Sequence, residues 1–168
     1  MADAREEPTA APSRRMPRIP SARYRHTNLI ARDWMRLAGF YERVFGCTPV
    51  PPERRLEGEW LEKASGVKGP RLTGVHLRLP GCHRDGPTLE IFQYETTVPQ
   101  EVPVANRAGY GHIAFAVPDV DAALSAVVAE GGSGLGEVVT QAIEGAGTIR
   151  FTYARDPEGN ILELQAWL

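Results

Sequence analysis

Cysteine is scarce in this chain: Cys47 and Cys82 are the only two. They cannot build the multi-bridge framework of a small secreted domain, so a hydrophobic core must supply the stability, and a reduced, cytoplasmic setting is the simpler expectation. Long apolar runs are also missing. No stretch approaches the roughly 18 residues a membrane-spanning helix requires, so no membrane partner is expected. An excess of positive charge is lacking too. Nineteen Lys and Arg against 21 Asp and Glu leave a formal charge of −2, which gives no basic footprint for nucleic acid. Residues 1–22 carry Pro, Ala and Arg clusters with Glu6 and Glu7 among them, but not the apolar stretch of a signal peptide, and read as a disordered N-terminal tail. What remains is an ordinary globular composition, 42% hydrophobic and 24% charged over 168 residues. That length suffices for a core that buries roughly 70% of the unfolded surface. The expected partners are a small-molecule substrate and a second copy of the chain.

The sequence repeats itself. His26-Thr27-Asn28-Leu29-Ile30-Ala31-Arg32-Asp33 and His112-Ile113-Ala114-Phe115-Ala116-Val117-Pro118-Asp119 each set an Asp seven residues after a His and ahead of a helix-like stretch. Each copy closes on a strand-like segment with a Glu, Thr88-Leu89-Glu90-Ile91-Phe92 and Ile161-Leu162-Glu163-Leu164-Gln165. The His-to-Glu separation is 64 residues in the first copy and 51 in the second (90 − 26 and 163 − 112), so the first carries an insertion.

Residues 24–31 read as a strand, and Asp33 caps a helix with Leu37, Phe40, Tyr41, Val44 and Phe45 on one face and Gly46 as its stop. Pro49 to Pro52 reads as a break in regularity. Gly58 to Ala64 reads as a short amphipathic turn inside the 53–74 insertion. Val75, Leu77 and Leu79 alternate with His76 and Arg78 as a half-buried strand, and 88–94 follows as another. In the second copy, strand 111–117 leads to a helix capped by Asp119, with Leu124, Val127 and Val128 facing inward and Gly131-Gly132 ending it. Strands follow near 137–143 and 148–154, then the Asp156-Pro157-Glu158-Gly159 turn and a last strand over 160–167. Each copy is approximately βαβββ, with the second strand of the first copy hard to see. The expected organisation is a tail to 22, a first module over 23–95, a linker over 96–109 and a second module over 110–168. The fold class is α+β.

Strand side chains alternate faces. If Ile113, Phe115 and Val117 cover the helix, His112 points away from it; Glu163 between Leu162 and Leu164, and Glu90 between Leu89 and Ile91, behave alike. His26, Glu90, His112 and Glu163 are therefore expected on the face opposite the helices, a concave trough if each sheet curls. Clustered carboxylates there would be costly without a cation among them. Two His and two Glu suit one divalent ion, Ni, Co, Zn, Mn or Fe, with positions left for water or substrate. Taken singly, a strand His is more often a core or surface residue than a ligand, which is the reading given to His76 and His83. The matched placement of the four argues for the metal.

With those four residues in place, the chain resembles the vicinal oxygen chelate superfamily, and within it glyoxalase I and methylmalonyl-CoA epimerase. The resemblance spans about residues 24–168 and is densest at Asn106 to Phe115 and Asp156 to Leu164. It implies two βαβββ modules forming a U-shaped cup around one divalent metal, which a substrate chelates through adjacent oxygens, and it implies that dimers are common. The ligand set His26, Glu90, His112 and Glu163 is of the glyoxalase I type; epimerases usually carry Gln where Glu90 stands. The glutathione-binding positions depart from that enzyme, with Ile30 where an Arg is implied, Tyr94 where an Asn is, and Ala108 where an Arg is, Arg107 being one position away. Little turnover of a glutathione hemithioacetal is expected.

The expected function is a metal-dependent isomerase, epimerase or lyase that abstracts a proton α to a carbonyl, the metal stabilising the ene-diolate form. Glu163 and Glu90 are the candidate catalytic residues. The resemblance assigns proton transfer to Glu163, and the chemistry needs a base able to leave the metal. His76, Arg78, Phe92, Tyr94 and Arg107 are the candidate substrate-pocket residues, His76 and Arg78 suiting an anionic or polar group. The rival reading, from a different class, is a metal-free binding or sequestration protein of the bleomycin-resistance type, with Phe92, Tyr94, Trp60 and Trp167 as pocket walls.

Overall fold

The structure, a computed structural model, describes residues 18–99 and 101–168. Of the tail expected over 1–22, residues 1–17 lie outside the described residues. The remainder forms nine strands and three helices in two sheets.

The first sheet holds β1 (His26–Ile30), β2 (Thr48–Glu57), β3 (Arg71–Arg78) and β4 (Thr88–Tyr94) in the order β1-β4-β3-β2. Helix α1 (Trp34–Phe45) crosses its back. Asp33 accepts from the Arg36 amide and so satisfies an N-terminal donor, and Gly46 closes the helix at φ 70. Leu37, Phe40 and Tyr41 are buried against Leu29, Val75, Leu77, Leu89 and Ile91. Helix α2 (Glu59–Ser65) occupies the insertion.

Strand β2 was not legible, because Pro49, Pro51 and Pro52 read as a break. The backbone accommodates them because β2 is an edge strand, paired only with β3, and its register shifts between Val50 and Arg54. Missing amide donors are tolerated at an edge and at a bulge.

The second sheet holds β5 (Ile113–Ala116), β6 (Ser133–Gly134), β7 (Val139–Ile143), β8 (Gly147–Arg155) and β9 (Ile161–Trp167). The order is β5-β9-β8-β6, with β7 also on β8. The two-residue β6 is an addition to the expected βαβββ plan; together with β7 it fills the edge that β2 fills in the first sheet. Helix α3 (Val120–Ala129) is capped by Asp119, which accepts from the Ala122 amide. Val127 is fully buried and Leu124 packs at the core margin, but Val128, expected inward, is 52% exposed. Val120 and Val127 define the buried face of α3, and Val128, about 100° further round the helix, turns to solvent.

One core joins the halves. Phe45 of α1 stacks on Phe115 of β5 with ring centroids 3.9 Å apart. The buried Tyr41 hydroxyl donates to Asp156 at 3.0 Å. Glu158 accepts from the Arg32 and Asp33 amides at 3.2 and 3.1 Å and pairs with the Arg32 guanidinium at 2.6 Å. The turn before β9 thus grips the start of α1.

Gly74 has a packing role on the front of the first sheet. A Cβ there would collide with the Ile91 carbonyl and the Phe92 ring. The ring fills the space the glycine leaves and meets His76 edge-on at 5.8 Å. Gly74→Ala is expected to destabilise the chain by about 1–3 kcal/mol, the usual range for overpacking. A lowered urea midpoint at unchanged slope would register it; an unchanged midpoint would show that the ring yields freely.

Candidate functional site

Cross-strand register builds the site in rows. On the front of the first sheet, Thr48, Arg78, Thr88 and His26 share one row, and Val50, His76, Glu90 and Asn28 share the next. On the second sheet, Ser133, Arg155 and Ile161 share a row, and His112 sits one residue before β5, level with Ile161. Tyr153, Glu163 and Ala114 form the next row. The halves correspond residue for residue: His26 to His112, Glu90 to Glu163, His76 to Tyr153, Arg78 to Arg155.

Each half brings its candidate ligand His to its Glu, and the first half brings His76 to the same Glu as well. His26 Nε2 lies 3.4 Å from Glu90 Oε2, and His112 Nε2 lies 2.8 Å from Glu163 Oε2. Two ligands each ~2.1 Å from a shared ion, at ordinary angles, stand roughly 3 Å apart, so either pair fits half of a divalent metal's coordination shell. The donor types fit as well. Among the described residues, however, no three His, Cys, Asp or Glu side chains are grouped as a metal centre, so the four candidate ligands stand as two separate His–Glu pairs. Both imidazoles are accessible, with side-chain exposures of 47% for His26 and 35% for His112.

The two carboxylates differ in surroundings. Glu90 Oε1 lies 3.0 Å from His76 Nε2, and its Oε2 accepts from Asn28 Nδ2 at 3.3 Å. A carboxylate only accepts, so His76 Nε2 carries a proton; in the neutral ring Nδ1 then accepts from the Thr88 hydroxyl, 3.2 Å away. Burial pulls the His76 imidazole below its usual range, against the opposing field of Glu90. Among the described residues, Glu163 has His112 alone as an ion-pair partner. Ala114 stands where Asn28 stands in the first half, and Tyr153, where His76 stands, lays its ring 5.2 Å from that of His112. Burial, with the Glu163 charge second, raises the Tyr153 hydroxyl above its ordinary value.

The remaining candidates are scattered. Phe92 and Tyr94 lie on the front face of the first sheet, two and four residues along β4 from Glu90. Arg107 pairs with Glu101 at 2.9 Å in the segment between the sheets. Trp60 is on α2, and Trp167, at the end of β9, donates to Gln165. Asn28, Tyr153 and Arg155 are site neighbours that the sequence reading passed over. Their parity with Glu90 and Glu163 was available as a signal once the strand register was known.

Two cavities lie away from these pairs. One, of about 360 Å³, is lined by Arg55, Glu57, Arg71, Gln93 and Glu95 among others. The other, of about 330 Å³, runs between Ile30 to Arg32, the 97–103 segment and Glu158 to Asn160. The matched His–Glu pairs, with titratable side chains in the same rows, form the candidate chemical centre.

No helix among the described residues is long and apolar enough to cross a membrane. No curated protein matches the sequence. Among solved structures, a glyoxalase family protein from Bacillus cereus is similar at 20% identity and TM-score 0.69, covering 95% of this chain and 99% of that one. A glyoxalase/bleomycin resistance protein/dioxygenase domain from Frankia is similar at 18% identity and TM-score 0.54, covering 88% and 98%. A glyoxalase I mutant from Zea mays is similar at 20% identity and TM-score 0.58 over 84% of this chain and 45% of that one. At such identities the likeness establishes the fold. The family model for the Glyoxalase/Bleomycin resistance protein/Dioxygenase superfamily matches residues 23–164, and with two βαβββ-type halves each carrying a His–Glu pair, this chain belongs to that superfamily.

Proposed function

We propose that the protein is a metal-dependent isomerase, epimerase or lyase acting on a small substrate with adjacent oxygens, by proton abstraction α to a carbonyl and without glutathione. The observation that carries this reading is the pair of matched His–Glu contacts, His26 with Glu90 and His112 with Glu163, at separations suited to a shared ion. A divalent ion held by these four would act as a Lewis acid on the substrate's oxygens. The chain's own residues then divide the work. His26, His112 and Glu90 hold, Glu163 moves the proton, and the front faces around His76 and Phe92 orient the substrate.

The half-sites need to meet, and a second copy offers the means. β1 and β5 are both open sheet edges, and Ile30, Ala114 and Ala116 on them are exposed. Exposed edges of this kind invite pairing, and a two-fold dimer would set the His26–Glu90 pair of one protomer against the His112–Glu163 pair of its partner twice over. Ile30, Tyr94 and Ala108 stand where glutathione contacts would be expected, which supports a different substrate.

Metal analysis tests this. Protein purified without chelator is expected to carry one divalent ion per chain and to scatter light with twice the 18.4 kDa mass. His112→Ala is expected to lose the ion, because the carboxylates then stay clustered with one nitrogen ligand removed. Full occupancy in that variant would place the metal elsewhere. A metal-free wild type indifferent to chelator would favour the binding-protein reading.

A further inference from the structure

Among the described residues, two buried side-chain polar atoms lack any hydrogen-bond partner, Arg78 Nε and Arg155 Nε. They are not a random pair. The register makes them equivalents, each in the row of its half's candidate ligand His and two residues along the strand from the neighbour of the Glu. Buried donors are nearly always satisfied, and an orphaned guanidinium donor asks for an acceptor. No carboxylate pairs with either side chain among the described residues.

The two are not equally free. Arg155 Nη2 donates to the Pro103 carbonyl at 3.0 Å, and its row neighbours are Ser133 and the buried, apolar Ile161. The Arg78 side chain makes no hydrogen bond to the described residues, and its row neighbours Thr48 and Thr88 carry hydroxyls. Its row thus offers a guanidinium, the Thr48 hydroxyl and the His26 imidazole side by side, while the Thr88 hydroxyl is engaged with His76. One row further, about 7 Å along the strand, is the Glu90 row. That arrangement suits an anion with several acceptor oxygens.

We propose that Arg78 is the anchor for an anionic group of the substrate, a carboxylate or a phosphate monoester, and that the substrate is therefore a compact oxygenated acid that reaches from the Arg78 row to the His26–Glu90 pair. The substrate assignment rests on the reading of the site given above; the anion site itself does not. The guanidinium fork supplies two parallel donors to the anion, and Thr88, its neighbour in the row, is bonded to His76, which faces Glu90.

The test is made on the metal-stripped protein, so that failure of metal binding and failure of the anchor are separately visible. The Nε–Hε signals of ¹⁵N-labelled arginines are followed during titration with acetate and with inorganic phosphate at ionic strength fixed by chloride. Arg78→Lys identifies the Arg78 signal by its absence. A saturable shift of that signal, larger than the shift of Arg155, is expected for at least one anion, and which of the two moves it distinguishes carboxylate from phosphate. The apparent affinity, read then from backbone amides of β3 and β4, is expected to fall at least tenfold in Arg78→Met and severalfold in Arg78→Lys, and to stay unchanged in Lys63→Met, which removes an exposed cation on α2. Absence of a saturable shift with either anion, or undiminished affinity in a folded Arg78→Lys protein, overturns the proposal.

Discussion

Glu163→Gln is expected to abolish most solvent-deuterium exchange at a substrate's α-carbon while leaving much of the metal bound. A carboxylate fixed to a cation is too weakly basic to take a carbon-bound proton, so the base must be the carboxylate that is easier to release. The surroundings rank the two. Glu90 is held by Asn28 and His76 as well as facing His26, whereas among the described residues Glu163 pairs only with His112 and has a methyl group, Ala114, where Glu90 has an amide. Releasing Glu163 leaves fewer donors unsatisfied. Removing a general base typically costs a factor of about 10²–10⁴. The amide oxygen of Gln still offers a ligand atom, which separates loss of the base from loss of the ion. Glu90→Gln is expected to retain far more exchange, since it keeps its holding role. NMR of small α-oxygenated acids in deuterated buffer reads both variants, and intact exchange in Glu163→Gln with loss in Glu90→Gln would reverse the assignment.

The sequence made the duplication, both helices with their Asp caps, and β4, β8 and β9 legible, because these follow from local chemistry and from the period of the apolar residues. It did not disclose β2, since three prolines argue against a strand unless the strand is known to lie at an edge. Nor did it disclose that Asn28 and His76 share Glu90, or that Arg155 is the counterpart of Arg78. Those are facts of register, and a shift of one residue would have turned each of these side chains to the other face. The separation of the four candidate ligands into two pairs was invisible for a related reason. The sequence orders residues within a half and is silent on whether two halves of one chain, or of two, face each other.

The joint between the halves shows the same limit. Asp156 reads as a turn residue, yet it is 3% exposed and accepts from the Tyr41 hydroxyl, the Asn160 side chain and the Glu158 and Asn160 amides. Asp156→Ala would leave these buried donors without an acceptor, an expected loss of about 3–5 kcal/mol, while Tyr41→Phe, which removes one bond and keeps the others, is expected to cost about 1 kcal/mol. For a chain of this size the first corresponds to a fall in Tm on the order of 10 °C. The dependence on pH has a definite sign. Burial raises the Asp156 carboxyl above its ordinary 3.8, and the hydrogen bonds only partly pull it back. The folded chain thus holds this proton more tightly than the unfolded one. Stability from this group is fully present below 3.8 and fades as pH rises through the folded value. Asp156→Asn has no proton to lose, so the stability of the wild type relative to that variant should decline from pH 4 toward neutrality. Urea unfolding of both proteins across that range reads the difference, and a gap that widened with rising pH would mean that the hydrogen bonds to the ionised carboxylate outweigh its burial.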